Sequence, residues 1–136
     1  MIETDILLAL ISVEDKHHAE VIGLLDELRG DVSLSPYSLM ELDLLLRSGD
    51  IVVNEVKAFY DGLGDLLDFR EINTLSIKPR YHGEAFGLRK KHENLKYFDS
   101  LHAAVAAVED LELVSYDKEY RKVTGLNHSH PSKYIR

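Results

Sequence analysis

The sequence predicts an α/β fold, a mostly parallel sheet with helices packed on both faces. Two observations carry that prediction. Short apolar strand candidates alternate with amphipathic helix candidates along the chain, a pattern that implies right-handed crossovers between parallel strands. Toward the carboxyl end, one helix, turn and strand stand out: Tyr97 to Val108, then Leu113 to Tyr116. On that helix Phe98, Leu101, Val105 and Val108 recur at three- and four-residue spacing, and the alanines between them allow close packing. The strand is apolar enough to be central and ends on Asp117, at the edge where open α/β sheets bind ligands.

Met1 to Asp5 reads as a strand running straight into a short helix, Ile6 to Ile11, which puts Glu3 and Asp5 at the junction. Ser12 to Lys16 is a polar break. Asp15 then caps a helix from Lys16 to about Arg29, with Ala19, Ile22, Leu25 and Leu28 as its inner face and Gly30 as its end. Asp31 to Leu34 is a second strand. Ser35-Pro36 supplies an N-cap and an N1 proline for the next helix, which turns Leu39, Leu42, Leu45 and Leu46 inward and stops at Ser48-Gly49. Ile51 to about Leu67 is amphipathic, loosened by Gly62 and Gly64, and Phe69 to Leu75 alternates as a third strand. Pro79 opens a helix to about Asn94 that carries Arg80, Arg89, Lys90 and Lys91. After the central stretch, Lys118 to Thr124 is a short helix, and Gly125 to Arg136 a loop or short edge strand.

At 136 residues, with no internal repeat or linker, the chain reads as a single domain spanning 1–136. It has no cysteine, which excludes disulfides, thiolate metal sites and a cysteine nucleophile. No apolar run approaches the roughly 20 residues of a membrane span, and the start lacks a signal-peptide pattern, so a cytoplasmic protein with no membrane partner is expected. Net charge is −8, from 24 acidic and 16 basic residues. That balance opposes broad electrostatic capture of nucleic acid but allows a basic rim around an acidic, cation-filled centre.

The acids that stand out are Glu3 and Asp5 after the first strand, Glu41 in the third helix, Asp99 at a helix start, and Asp117 after the fourth strand. A parallel sheet can gather most of them at one edge. Converging carboxylates repel by several kcal/mol in a low-dielectric cleft, and Mg²⁺ or Mn²⁺, which prefer hard oxygen ligands, relieve that repulsion. A carboxylate cluster holding such ions is the usual apparatus of nucleases.

On these residues the chain resembles the PIN-domain family, in particular the VapC-type toxins of prokaryotic VapBC toxin–antitoxin pairs. Phe98-Asp99-Ser100-Leu101-His102-Ala103-Ala104, and Ser115-Tyr116-Asp117-Lys118-Glu119-Tyr120 with its aspartate eighteen positions on from Asp99, match the family's third and fourth acidic motifs. Ser38-Leu39-Met40-Glu41-Leu42 matches the second. The family usually shows Asp-Thr-Asn or Asp-Ser-Asp at the end of strand one, where this chain has Glu3-Thr4-Asp5. Strict register puts Glu3 in the ligand column. Either carboxylate can hold a metal; the place of Asp5 at the helix entrance favours it, with Glu3 as a second ligand or an orienting group.

The resemblance implies a three-layer α/β/α sandwich around a central, mostly parallel sheet of about five strands. It also implies a Mg²⁺- or Mn²⁺-dependent endoribonuclease that hydrolyses RNA phosphodiester bonds, forms a homodimer and is covered by an antitoxin protein. Asp5, Glu41, Asp99 and Asp117 are then the catalytic and metal-holding residues, joined by Glu3 as a metal ligand, with Thr4 and Ser115 hydrogen-bonding those carboxylates. Plainer roles compete. Asp99 suits a helix dipole, Asp117 a helix cap, and Glu41 a capping box with Ser38. His102 fits either the metal or the core, His128 and His130 bracket a tail serine, and the basic group on the Pro79 helix fits a solvated face or a phosphate-binding rim. A second functional class is a PIN fold weakened in catalysis by Glu3 and serving as a binding or assembly module. A phosphoacceptor receiver domain shares the architecture but needs an aspartate where Asn73-Thr74-Leu75 stands.

Overall fold

In the computed structural model, which describes residues 1–135, five chain segments run parallel through one sheet. The helices are α1 (Thr4–Ile11), α2 (His18–Glu27), α3 (Tyr37–Ser48), α4 (Val56–Phe69), α5 (Pro79–Lys91) and α6 (Tyr97–Val108). The paired strands are β1 (Ser33–Leu34), β2 (Asn73–Thr74), β3 (Leu113–Val114) and β4 (His128–Ser129). β1 pairs with β2 and β3 with β4, both parallel. Ile2 joins the two pairs by bridging Leu34 on one side and Val114 on the other. The row order is therefore β2, β1, residues 1–3, β3, β4. Ile2 N donates to Ser33 O at 2.8 Å, Ser35 N to Ile2 O at 3.0 Å, and Val114 N to Met1 O at 2.9 Å.

Successive residues of that central row point to opposite faces, the period-2 rule of a strand. Met1 packs with Tyr81, Leu88, Leu101 and Val105 of α5 and α6. Ile2 packs with Ile6, Val21, Leu42, Leu63 and Leu67 from the first four helices. The fold is thus the expected three-layer α/β/α sandwich, with very short strands. α6 matches the expected span and is more enclosed than a single stripe implies: every residue from Ser100 to Ala106 is buried. Its alanines bring α5 and the sheet close.

Several boundaries differ from expectation. Helix α1 begins at Thr4, so Glu3 is its N-cap, accepting from Asp5 N, and Asp5 lies in the first turn. Asp15 accepts from His17 N at 2.8 Å, but α2 starts only at His18; its core side is Val21, Leu24 and Leu25, and Ala19 is exposed. Helix α4 runs through Phe69, overriding the strand expected from 69 to 75, of which only Asn73–Thr74 pairs. Its glycines are tolerated because Leu63 and Leu67 are buried and Glu55 caps its start, accepting from Lys57 N and Ala58 N. Gly49, at φ 83°, ends α3 in the left-handed conformation that glycine adopts without strain. Lys118–Lys122 is a 3₁₀ turn, β4 is the edge strand foreseen in the tail, and Arg136 lies outside the described residues. No helix among the described residues is long and apolar enough to cross a membrane.

Candidate metal centre

The carboxyl ends of the three central rows lie side by side, because parallel strands all point the same way. Residues 1–3 deliver Glu3 and Thr4, β1 delivers Ser35, and β3 delivers Ser115, Tyr116 and Asp117. The second turn of α3 adds Glu41, and the first turns of α6 add Asp99 and His102.

Glu3, Glu41 and His102 each offer a ligand atom, and the three atoms lie within 4.8 Å of one another. His102 is fully buried, with Nε2 at 2.5 Å from Glu41 Oε1 and 3.4 Å from Glu3 Oε2. Its Nδ1 lies 2.6 Å from Ser35 Oγ, so this hydroxyl is turned to the histidine and not to the helix cap foreseen for it. Thr4 Oγ1 donates to Glu41 Oε1 at 2.7 Å. Tyr120, buried on the 3₁₀ turn, places its hydroxyl 3.4 Å from both Glu3 Oε2 and Asp99 Oδ1.

Asp5 faces a different way. Its Oδ2 accepts from Ser115 Oγ and from Tyr116 N, each at 2.7 Å, and its Oδ1 accepts from Ile6 N at 2.7 Å. Its carboxylate ties the start of α1 to the end of β3. Asp117 Oδ1 accepts from Glu119 N at 2.9 Å, capping the 3₁₀ turn, while its charge still acts on Asp99. Ser38 Oγ is buried without a hydrogen-bond partner among the described residues, so the capping box with Glu41 does not form.

The electrostatics fit a cation. Burial first, then the hydrogen bond and charge of Asp5, hold the Glu3 carboxyl well above the ordinary glutamate range. Burial, then the charges of Asp117 and Glu41, push Asp99 up to about 6 against the opposing pull of His102 and Lys96. Burial and the charges of Glu3 and Asp99 push Tyr120 far up, so it remains a hydrogen-bond donor. Anions held this close are unfavourable as they stand, and a divalent ion removes the penalty. The oxygen-rich donor set suits Mg²⁺ or Mn²⁺.

A PIN-domain family model matches residues 1–126. The chain belongs to the PIN-domain family. Solved structures share this PIN fold at low identity. VapBC2 from Rickettsia felis, bound to a DNA fragment from their promoter, has a TM-score of 0.75 at 18% identity over 96% of each chain. A toxin–antitoxin complex from Klebsiella pneumoniae has a TM-score of 0.68 at 20% identity, covering 96% of this chain and 95% of that one. DNA-bound VapBC from Salmonella typhimurium has 0.67 at 18% over 96% of each. No curated protein matches the chain significantly.

Within this PIN domain the structure gathers Glu3 and Glu41 around His102, with Asp99 joined to Glu3 through Tyr120, and it turns Asp5 to the backbone of the β3 exit. Ser35 and Tyr120 were absent from the residues expected at the site, and His102 stood open between the metal and the core. Two of them carried a spacing signal, since His102 follows Asp99 by one helical turn and Tyr120 follows Asp117 by one 3₁₀ turn.

Proposed function

We propose that the chain is a divalent-metal-dependent endoribonuclease and the toxin of a VapBC-type pair. The observation that supports this best is the buried Glu3 carboxylate beside Glu41 and His102, with Asp99 close enough to share the Tyr120 hydroxyl. Glu3, Glu41 and Asp99 hold the ion, Asp117 adds charge at the open side, and Asp5 fixes the loop that carries Ser115 and Asp117. Bound there, Mg²⁺ or Mn²⁺ supplies Lewis-acid neutralisation of the phosphoryl oxygens and lowers the pKa of the attacking water. The Tyr120 hydroxyl orients Glu3 and Asp99, and Thr4 orients Glu41. Lys96, at the N-cap of α6, and the last turn of α5 with Lys90 and Lys91 provide cations for the RNA backbone.

A partner surface accompanies the site in this reading. A groove of about 430 Å³ between the end of α1 and the start of α4 is lined by Leu8, Ile11, Ile51, Val52 and Phe59, and Val52 is 83% exposed. An apolar groove of that kind suits an amphipathic segment, here an antitoxin tail, and the active assembly is a homodimer.

The test is cleavage of structured and single-stranded RNAs in Mn²⁺, Mg²⁺ or EDTA, with Glu3→Gln and Asp99→Asn prepared alongside. Metal-dependent cutting by the wild type, lost in both variants, is expected. Equal inertness of all three, with capture of a co-expressed antitoxin intact, would replace the nuclease by the binding-module reading.

A further inference from the structure

Resting on that metal-site reading, we propose that His102 is a positioning residue, locked by Ser35 so that it holds Glu41 with one carboxylate oxygen left for the cation. The ring is buried where three elements meet. Ser35, at the exit of β1, is itself fixed by its N–H donating to Ile2 O at 3.0 Å, and its Oγ lies 2.6 Å from His102 Nδ1. On the other side, Nε2 lies 2.5 Å from Glu41 Oε1. With Glu41 Oε1 accepting here as it does from Thr4 Oγ1, Nε2 carries the hydrogen; in the neutral ring Nδ1 is then bare, and the serine hydroxyl, which can give or take, donates to it. In the neutral ring the chain Ser35 → His102 → Glu41 has one direction and one tautomer.

Its effect falls on Glu41. Oε1 accepts from both Thr4 Oγ1 and His102 Nε2, whereas Oε2 takes no hydrogen bond among the described residues. The Glu41 side chain is 25% exposed, enough for one oxygen to face the cleft. Two donors on one oxygen fix the carboxylate plane and leave the other oxygen as a monodentate ligand. The alternative, His102 as a ligand itself, requires Nε2 to lose its hydrogen and abandon Glu41. It would also shift the site from the hard cations toward zinc or nickel.

The experiment follows the imidazole nitrogens of ¹⁵N-histidine-labelled protein by NMR and measures Mn²⁺ affinity by water-proton relaxation. The chains compared are wild type, Ser35→Ala, Ser35→Thr, His102→Leu and His102→Gln, each checked for folding by circular dichroism. In the metal-free wild type, His102 is expected to show a protonated Nε2 and a bare, accepting Nδ1. Ser35→Ala should mix the tautomers, and Ser35→Thr should restore the single one. His102→Leu should weaken Mn²⁺ binding about tenfold to a hundredfold, and His102→Gln, whose amide can donate to Glu41, should recover most of it. Should the leucine variant unfold, Ser35→Ala, which keeps the ring, carries the affinity comparison. An unchanged tautomer in Ser35→Ala, wild-type affinity in His102→Leu, or loss of the Nε2 proton on saturation with Mg²⁺ would each overturn the proposal. A wild type that binds neither ion would overturn the metal-site reading, while the metal-free tautomer still decides whether Ser35 locks His102 onto Glu41.

Discussion

Replacing Asp99 by asparagine should make the metal-free protein more stable, although it removes a group placed in the site. Its carboxyl is raised from the ordinary 3.8 to about 6, chiefly by burial and then by Asp117. That rise corresponds to about 3 kcal/mol between the two protonation states. Asp99 is only half-buried, and solvent screening reduces the usable part to about 1–2 kcal/mol. Between pH 4 and 6 the folded chain binds more protons here than the unfolded chain, so stability falls as pH rises through that window, and the whole penalty is present above it. Asparagine keeps the shape, can still accept from Tyr120, and carries no charge. In EDTA at pH 8 the variant should melt about 4–8 °C above wild type, and the gap should close as pH falls from 6 toward 4. In Mn²⁺ at a hundred times its Kd the wild type gains about 2.7 kcal/mol by mass action and the order reverses. Scanning calorimetry at several pH values, with EDTA and with Mn²⁺, reads both effects. An Asp99→Asn variant that melts at or below wild type in EDTA at pH 8, or whose advantage persists undiminished at pH 4, would refute the argument that Asp99 is held ionised against its surroundings.

Two further substitutions separate architecture from chemistry. Asp5→Ala deprives Ser115 Oγ and the Tyr116 and Ile6 amides of their acceptor; it should cost about 1–3 kcal/mol in urea denaturation, with the loss present in EDTA and Mn²⁺ alike. Glu55→Ala removes the side chain that caps α4 through Lys57 N and Ala58 N; it should cost about 1 kcal/mol by the same assay and leave RNA cleavage unchanged.

The features that local chemistry controls were legible in the sequence. The span of α6 follows from its apolar spacing, and the meeting of residues 1–3 with the exits of β1 and β3 at one edge follows from parallel strands. The start of α4 was not legible: the apolar run from Ile51 reads as helix, yet the helix begins only at Val56, where Glu55 caps it by accepting from Lys57 N and Ala58 N. Nor could the sequence say how Glu3 and Asp5 divide their tasks. They sit two residues apart, and what turns Asp5 aside is Ser115 and Tyr116, 110 and 111 positions away. His102 posed the same difficulty: a histidine on an apolar helix is ambiguous until Ser35 and Glu41 are seen on either side of its ring.

The placing of residues 1–3 in the middle of the sheet has a consequence for synthesis. Residues 1–3 are made long before their neighbour on one side, β3, which follows more than a hundred residues later. At about 5–20 residues per second the nascent chain spends several seconds with Glu3 and Thr4 already made and β3 still to come. Half a sheet, with β1 and β2, can form in that interval, but Asp99, His102 and Tyr120 are still to come. The acid cluster is therefore assembled by the last long-range closure, and a truncated or stalled chain carries the scaffold without the cleft.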